Sequence, residues 1–216
     1  MSVPTPIRYL DEIDAHITRR FGKNSFVLHE EKSSTVHVDI HVVMPSPDRP
    51  FYTLLTSGMS DLDMTVPEGA EGLALAEVCL CLPEYWPLNM TNFGWREPNY
   101  FWPIGILKQA ARYPHVCQTW LGWGHSVPRT PAPDATPDEA RFTGMLFVPP
   151  QTFAEGADEV ATRDGRTIRY LALIPLLPPE LAFKRTFGLE KLEEQLIRSE
   201  VTELLDPHRP SVVKPN

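Results

Sequence analysis

Residues 36–57 have the sequence VHVDIHVVMPSPDRPFYTLLTS, and this stretch sets the fold class that we predict. Over 36–44, valine and isoleucine alternate with two histidines and an aspartate, and this two-residue period is typical of a half-buried strand. Prolines within 45–50 end the pattern, and the β-branched and aromatic residues at 51–57 favour another strand. The stretch therefore predicts two successive strands separated by a short link.

The flanking sequence adds more strands and several helices. Apolar residues three and four apart predict helices, and apolar runs bounded by glycine and proline predict strands. The predicted helices span 6–21, 103–113 and a region after 178 that Gly188 divides, and the further predicted strands span 26–30, 72–82, 119–127, 142–148 and 167–177.

These elements predict one domain. Strands lie on both sides of a proline-rich segment at 129–141, and neither half has enough of them to close a core alone. We therefore predict a single α+β domain over residues 1–205, with a mixed, mainly antiparallel sheet flanked by helices. The segment 129–141 is predicted to be a mobile loop, and residues 206–216 are predicted to be a flexible tail.

The composition limits the kinds of partner. The 216 residues are 42% hydrophobic and 22% charged, which is typical of a globular protein. The formal net charge of −8 disfavours nucleic acid and anionic membranes as partners and suits a basic protein. The sequence has neither a long apolar run nor a signal-peptide pattern, so we expect a cytoplasmic protein. The three cysteines are too few for a disulfide framework and are expected to be reduced.

His37, Asp39 and His41 have side chains that suit a metal ion such as zinc. On a strand this spacing spreads them over about 13 Å, so one ion does not reach both ends unless the strand is bulged. A polar strip that faces solvent or a partner is the favoured interpretation, and no metal or other cofactor is predicted. A metal-dependent enzyme built on these three residues, joined by His125, is the alternative.

Two other groups of reactive side chains have structural interpretations. Cys79 and Cys81 share one strand face, and without a paired CxxC motif they are expected in the core. Ser57 and Ser60 flank a Gly-Met dipeptide, which does not match the Gly-x-Ser-x-Gly motif of hydrolases, and sequence alone assigns them no histidine base. A turn in which Gly58 has a positive φ is predicted instead, and no catalytic residue is predicted.

All five tryptophans lie between residues 86 and 123, with other aromatic residues among them, and we predict a long ordered loop over 83–102. Tryptophan and tyrosine are favoured at protein interfaces because they bury a large area with few rotatable bonds. Internal packing of the loop and a partner-binding surface therefore both stay open. Stacking of single-stranded nucleic acid is disfavoured because the chain lacks a basic field.

Several blocks, in order, resemble the Suppressor of Fused domain family. They are RPFYTLLTSGMSD at 49–61, AEVCLCLP at 76–83, WPIGILKQAARYPH at 102–115, TWLGWGH at 119–125, the strand at 142–150, and YLALIP at 170–175 with the Glu-Leu helix that follows. The resemblance spans about 26–205 and is closest to the compact bacterial members.

The resemblance implies an α+β domain, similar to the N-terminal domain of the family, that binds proteins and has no known catalytic role. Animal members bind a short extended peptide of Hedgehog-pathway transcription factors, and bacterial members resemble immunity proteins that neutralise polymorphic toxins. This sequence shows neither the second C-terminal domain nor the long acidic insert of the animal pattern. We therefore expect an immunity protein that binds a toxin domain or an extended peptide.

The resemblance also suggests strand addition, in which the strand at 51–57 or a neighbouring edge strand pairs with an extended segment of the partner. The partner-binding residues predicted in this way are Tyr52, Leu54, Thr56, Asp61, Asp63, Trp123 and His125, with His37, Asp39 and His41 at the rim. A homodimeric adaptor that uses the aromatic loop is the remaining alternative.

Overall fold

The computed structural model describes residues 7–23, 25–31, 33, 35–88 and 94–214. Its helices are α1 (Leu10–Phe21), α2 (Pro98–Val116), the short α3 (Pro137–Ala140), α4 (Pro178–Phe187) and α5 (Leu189–Arg198). Its strands are β1 (Ser25–Leu28), β2 (Asp39–Val43), β3 (Phe51–Ser57), β4 (Ala76–Pro83), β5 (Ser126–Pro128), β6 (Gly144–Val148), β7 (Glu159–Ala161) and β8 (Thr167–Leu176).

The strands form one sheet in the order β1-β2-β3-β4-β8-β6-β5, and β7 pairs with the first part of β8. The pairing of β4 with β8 is parallel, and the other strand pairs of the sheet are antiparallel. The predicted α+β class with a mixed, mainly antiparallel sheet is therefore confirmed. Among the described residues, no helix is both long and apolar enough to cross a membrane.

Helices cover both faces of the sheet. On one face, Ile104 and Leu107 of α2 share a core with Ile40 and Leu54 of β2 and β3. On the other face, residues of α1, α4 and α5 pack against the opposite sides of the same strands. Because β4 is nearly all buried and has a neighbour on each side, its predicted place in the middle of the sheet is confirmed.

The helix α2 begins earlier than the sequence predicts. It starts at Pro98 and continues through Pro103, so Trp102 belongs to a helix rather than to the predicted loop. A proline inside a helix removes one backbone hydrogen bond. The buried side chains of Trp102 and Ile106 compensate for that loss by packing in the core.

The residues after α5 contact the sheet and α4, and the flexibility of 206–216 stays a prediction. Residues 203–213, which we call the C-terminal segment, pair with the end of β4, where the Cys81 amide donates to the Glu203 carbonyl at 2.9 Å and the Leu205 amide donates to Cys81 at 2.9 Å. Arg209 forms a buried ion pair with Glu180 of α4. These long-range contacts hold the C-terminal segment in place. Its prolines interrupt any hydrophobic period, so the sequence pattern does not predict a packed structure there.

The proline-rich segment 129–141 contains local contacts. The Thr136 hydroxyl caps α3 by accepting a hydrogen bond from the Glu139 amide, and Arg129 forms an ion pair with Glu139 at 2.5 Å. The mobility of this segment stays a prediction.

Candidate protein-binding site

β3 is an interior strand and is not available for strand addition. It pairs with β2 on one side and with β4 on the other, and Tyr52, Leu54 and Thr56 are buried. The predicted strand addition at 51–57 is therefore wrong, because both backbone edges of β3 already bond within the sheet.

The turn after β3 is organised by the buried carboxylate of Glu77. One oxygen of this carboxylate accepts hydrogen bonds from the Gly58 amide at 2.9 Å and from the amide and hydroxyl of Ser60 at 3.0 and 2.6 Å. The Thr56 hydroxyl donates to the other oxygen at 2.6 Å. Gly58 has φ = +110°, and a Cβ there would lie 1.8 Å from the carbonyl oxygen of His37. The predicted glycine turn is confirmed.

The residues predicted to form a polar strip on β2 are largely covered. Asp39 is buried and bonds to His29 at 2.8 Å and to His37 at 2.9 Å. His41 is buried because α1 packs over it, and its Nδ1 atom lies 3.2 Å from the Asp14 carboxylate. A solvated or partner-facing strip is therefore wrong for Asp39 and His41. Within the described part of the chain, no group of three or more His, Cys, Asp or Glu side chains has the geometry to hold a metal ion.

The structure supplies a histidine for Ser57 that sequence reasoning did not find. The Nε2 atom of His41 lies 2.9 Å from the Ser57 hydroxyl, and Asp14 contacts the other ring nitrogen, as in a catalytic triad. Ser57 is 0% exposed, however, whereas a nucleophile must reach its substrate. We therefore interpret this chain of hydrogen bonds as a connection between α1 and the sheet.

An apolar cleft of about 370 Å³ opens at the start of β4 and β8. We call it the Trp123 cleft, and its apolar lining includes Leu73, Leu75, Ala76, Trp120, Trp123, Pro149 and Leu171. The Trp123 side chain is 64% exposed, and Leu73 is 39% exposed. Exposed apolar side chains beside a concave apolar surface are typical of a binding site.

The loop that carries Trp123 is held in place by its neighbours. The indole nitrogen of Trp123 donates to the Glu193 carboxylate on α5 at 3.0 Å. Gly124 has φ = +79°, and a Cβ there would lie 2.4 Å from the Leu189 side chain. The rings of His125 and Trp120 are 4.3 Å apart and meet edge to face. The exposed ring of Trp123 is thus presented by an ordered loop.

β5 begins directly after this loop and forms one edge of the sheet. Its described neighbour is β6, so its other edge has no strand partner in the described part of the chain. Ser126 has a backbone N–H that strand addition requires, whereas Pro128 has none. The structure therefore brings Trp123 and His125 together with an unpaired strand edge.

Asp61 and Asp63, the remaining predicted binding residues, have other partners. The Asp61 carboxylate accepts a hydrogen bond from the Arg8 amide at 2.7 Å, and both oxygens of Asp63 bond to Arg166 at 2.9 Å. These contacts tie the turn after β3 to the residues that immediately precede α1 and β8. Sequence reasoning missed Leu75, Pro149 and the other walls of the cleft, because these residues come together only through the parallel pairing of β4 with β8.

The basic and acidic side chains that line the cleft differ in whether they have partners. Arg169 is already engaged, since it pairs with Glu159 at 3.2 Å and donates to the Gly72 carbonyl at 2.7 Å. Asp158 also lines the cleft, and among the described residues no lysine or arginine is paired with its carboxylate. The cleft therefore offers a carboxylate to a ligand but no uncompensated cation.

Comparisons with known proteins agree with this fold. The family model described as Suppressor of fused protein (SUFU) matches residues 34–210. A Suppressor of Fused homologue from Neisseria gonorrhoeae FA 1090 is 16% identical, with a TM-score of 0.63 over 98% of this chain and 100% of that chain. No curated protein sequence is a match.

Two further solved structures have the same fold. A chain of the Sufu–Fu complex is 14% identical, with a TM-score of 0.65 over 96% of this chain and 93% of that chain. Drosophila Suppressor of Fused is 14% identical, with a TM-score of 0.65 over 97% of this chain and 52% of that chain. At these identities the structural likeness shows the fold alone, whereas the family model spans most of the sequence. The chain therefore belongs to the Suppressor of Fused family, as its sequence blocks predict.

Proposed function

We propose that this chain is a non-enzymatic protein-binding domain whose partner docks at the Trp123 cleft and the adjoining edge of β5. The observation that carries the proposal is the largely exposed Trp123 ring beside an apolar cleft and an edge of β5 to which no described strand is paired. The family is one of non-enzymatic regulators, and one similar structure is that of the Sufu–Fu complex.

The Trp123 cleft and the edge of β5 contribute to binding in different ways. Burying the Trp123 ring removes a large apolar area from water at a small entropic cost, because the side chain has few rotatable bonds. An extended segment paired with β5 gains main-chain hydrogen bonds that do not depend on sequence. The cleft then selects the partner, because only an apolar side chain of matching shape fits into it.

We further propose that the protein is an immunity protein, acting in the cytoplasm, that neutralises a polymorphic toxin by direct binding. The net charge of −8 and the carboxylate of Asp158, which pairs with no lysine or arginine of the described residues, favour a basic partner, and toxins that cleave nucleic acid are basic. Charge complementarity also accelerates capture of such a partner.

Affinity capture from the native cytosol tests the proposal. Tagged wild-type protein is compared with Trp123→Ala and with a matched control, Ile197→Ala, whose side chain is 69% exposed on α5. We expect one stoichiometric partner, whose yield falls with Trp123→Ala and with added salt but stays unchanged with Ile197→Ala. Undiminished capture by a folded Trp123→Ala variant would show that the cleft is not the site.

Two measurements test the finer proposal and the alternative of a homodimeric adaptor. For an immunity protein, co-expression restores growth of cells that make the captured partner, and Trp123→Ala reduces that protection. Light scattering on the purified protein tests the homodimeric adaptor, which has twice the mass of a monomer.

A further inference from the structure

A second aromatic surface lies at the other end of β4 from the Trp123 cleft. Leu75 and Ala76 at the start of β4 line the cleft, whereas Tyr85 follows the end of β4 at Pro83. The strand has eight residues, and at about 3.3 Å per residue its ends are roughly 23 Å apart. This surface is therefore separate from the site proposed above.

Two tyrosines form the exposed part of the surface. Tyr85 is 71% exposed and Tyr100 is 38% exposed. Both pack on the buried Trp86, with ring centroids 6.4 and 5.8 Å from it, and the Trp86 indole nitrogen donates to the Tyr100 carbonyl at 3.0 Å. Trp86 itself packs edge to face on the buried Trp102 at 6.3 Å. Because the buried tryptophans already hold the two tyrosine rings in place, these side chains lose little conformational entropy when a ligand binds.

Acidic residues lie close to Tyr85, because the Leu205 amide bonds to the Cys81 carbonyl and so brings Asp206 next to the end of β4. Burial raises the pKa of the Tyr85 hydroxyl, and the negative charges of Asp206 and Asp138 raise it further. Glu84, next to it in sequence, is exposed. His208 lies 3.5 Å from Asp138, and its amide donates to Asp206 at 2.8 Å. Within the described part of the chain, neither aspartate is paired with a lysine or an arginine.

We propose that Tyr85, Tyr100, Asp138 and Asp206 form a second contact surface, which binds a lysine or arginine side chain on a basic segment of a protein partner. An exposed tyrosine ring attracts a cation through its face, and the neighbouring carboxylates neutralise that cation. An acidic segment gains neither interaction and is repelled by the net charge of −8. Charge complementarity therefore selects the occupant of this surface.

Fluorescence anisotropy with two labelled peptides tests the proposal on the full chain. One probe alternates glycine with lysine, and the other alternates glycine with glutamate. We expect binding of the lysine probe alone, weakened about two- to five-fold by Tyr85→Ala and by Asp206→Asn, and little changed by Tyr85→Phe, which keeps an aromatic face. Asparagine at 206 retains an acceptor for the His208 amide, so this variant is expected to fold.

Two controls make the result specific. Glu155→Gln removes one exposed carboxylate elsewhere and is expected to leave the affinity for the lysine probe unchanged, whereas Trp123→Ala reports whether the probe binds in the cleft instead. If Glu155→Gln weakens binding as much as Asp206→Asn does, only diffuse charge acts and the proposal is overturned. An equal loss with Trp123→Ala would place the probe in the cleft and would also overturn it. Because the probes need no natural partner, this test can fail while the proposed function stands. Equally, the proposed function can fail while this test succeeds.

Discussion

Replacing Arg209 with methionine removes a guanidinium from the core and leaves the Glu180 carboxylate without its cation. Arg209 is 8% exposed and Glu180 is 0% exposed, and the two N–H···O distances between them are 2.5 and 2.7 Å. The same guanidinium donates to the Pro175 carbonyl at 2.8 Å. This arginine therefore joins the C-terminal segment to β8 and α4 at once.

The size of the effect follows from the burial of the pair. Removing one partner of a buried ion pair costs about 3–5 kcal/mol of unfolding free energy, because the other charge stays desolvated. For a domain of this length, 1 kcal/mol shifts the Tm by about 2–4 °C, so Arg209→Met is expected to lower the Tm by roughly 6–20 °C.

Urea unfolding and calorimetry measure the change, and hydrogen exchange locates it. The Cys81 and Leu205 amides, which hold the C-terminal segment to β4, are expected to lose protection first. The double variant Glu180→Gln with Arg209→Met is expected to recover part of the loss, because no unpaired charge remains. As a surface control, Lys191→Met breaks an exposed pair with Glu194 and is expected to cost at most about 1 kcal/mol. A loss below about 1 kcal/mol for Arg209→Met would refute the reasoning.

Three shorter predictions concern other parts of the core. Gly58→Ala is expected to cost at least about 2 kcal/mol, because φ is +110° and the new methyl group would overlap a backbone carbonyl; an unchanged urea midpoint would contradict this. Burial lowers the pKa of His16 and His41 below the unfolded value near 6.5. The free energy of unfolding is therefore expected to be highest above that pH and to fall as the pH drops below it. Urea midpoints from pH 8 to 5 measure this change, and a flat profile would contradict it. A thiol reagent is expected to modify only Cys117 in the native chain, since the other two cysteines are buried, and all three after unfolding.

The fold was predictable where the local pattern alone determines the structure. The strand at 51–57 has the predicted bounds, because proline precedes it, Gly58 follows it and the residues between have high β-propensity. The helical region after 178 is divided at Gly188 as predicted, because glycine adopts φ = +89° there at no steric cost.

The errors arose where a distant residue changes the environment of a local pattern. The alternation around Asp39 and His41 is that of a half-exposed strand, but α1 covers this face and Asp14 supplies a partner for the buried imidazole. Likewise, Arg209 and Glu180 are 29 residues apart, and no local pattern reveals that they pair. Part of the proposed binding site was named from the sequence, because the family resemblance points to Trp123 and His125, whereas the identity of the edge strand depends on the strand order.

The two proposed surfaces lie at opposite ends of β4, and this arrangement makes a prediction about their coupling. β4 is nearly fully buried between β3 and β8, and the C-terminal segment is paired to its last part, so we expect it to act as a rigid connection. Sites roughly 23 Å apart that share no contact residue affect binding additively, to within about 0.3–0.5 kcal/mol. The double variant Trp123→Ala with Tyr85→Ala, titrated with the captured partner, is therefore expected to lose the sum of the two single losses. A deviation beyond that margin would show that β4 transmits a conformational change between its ends, and the description of this strand as a rigid connection would have to be abandoned.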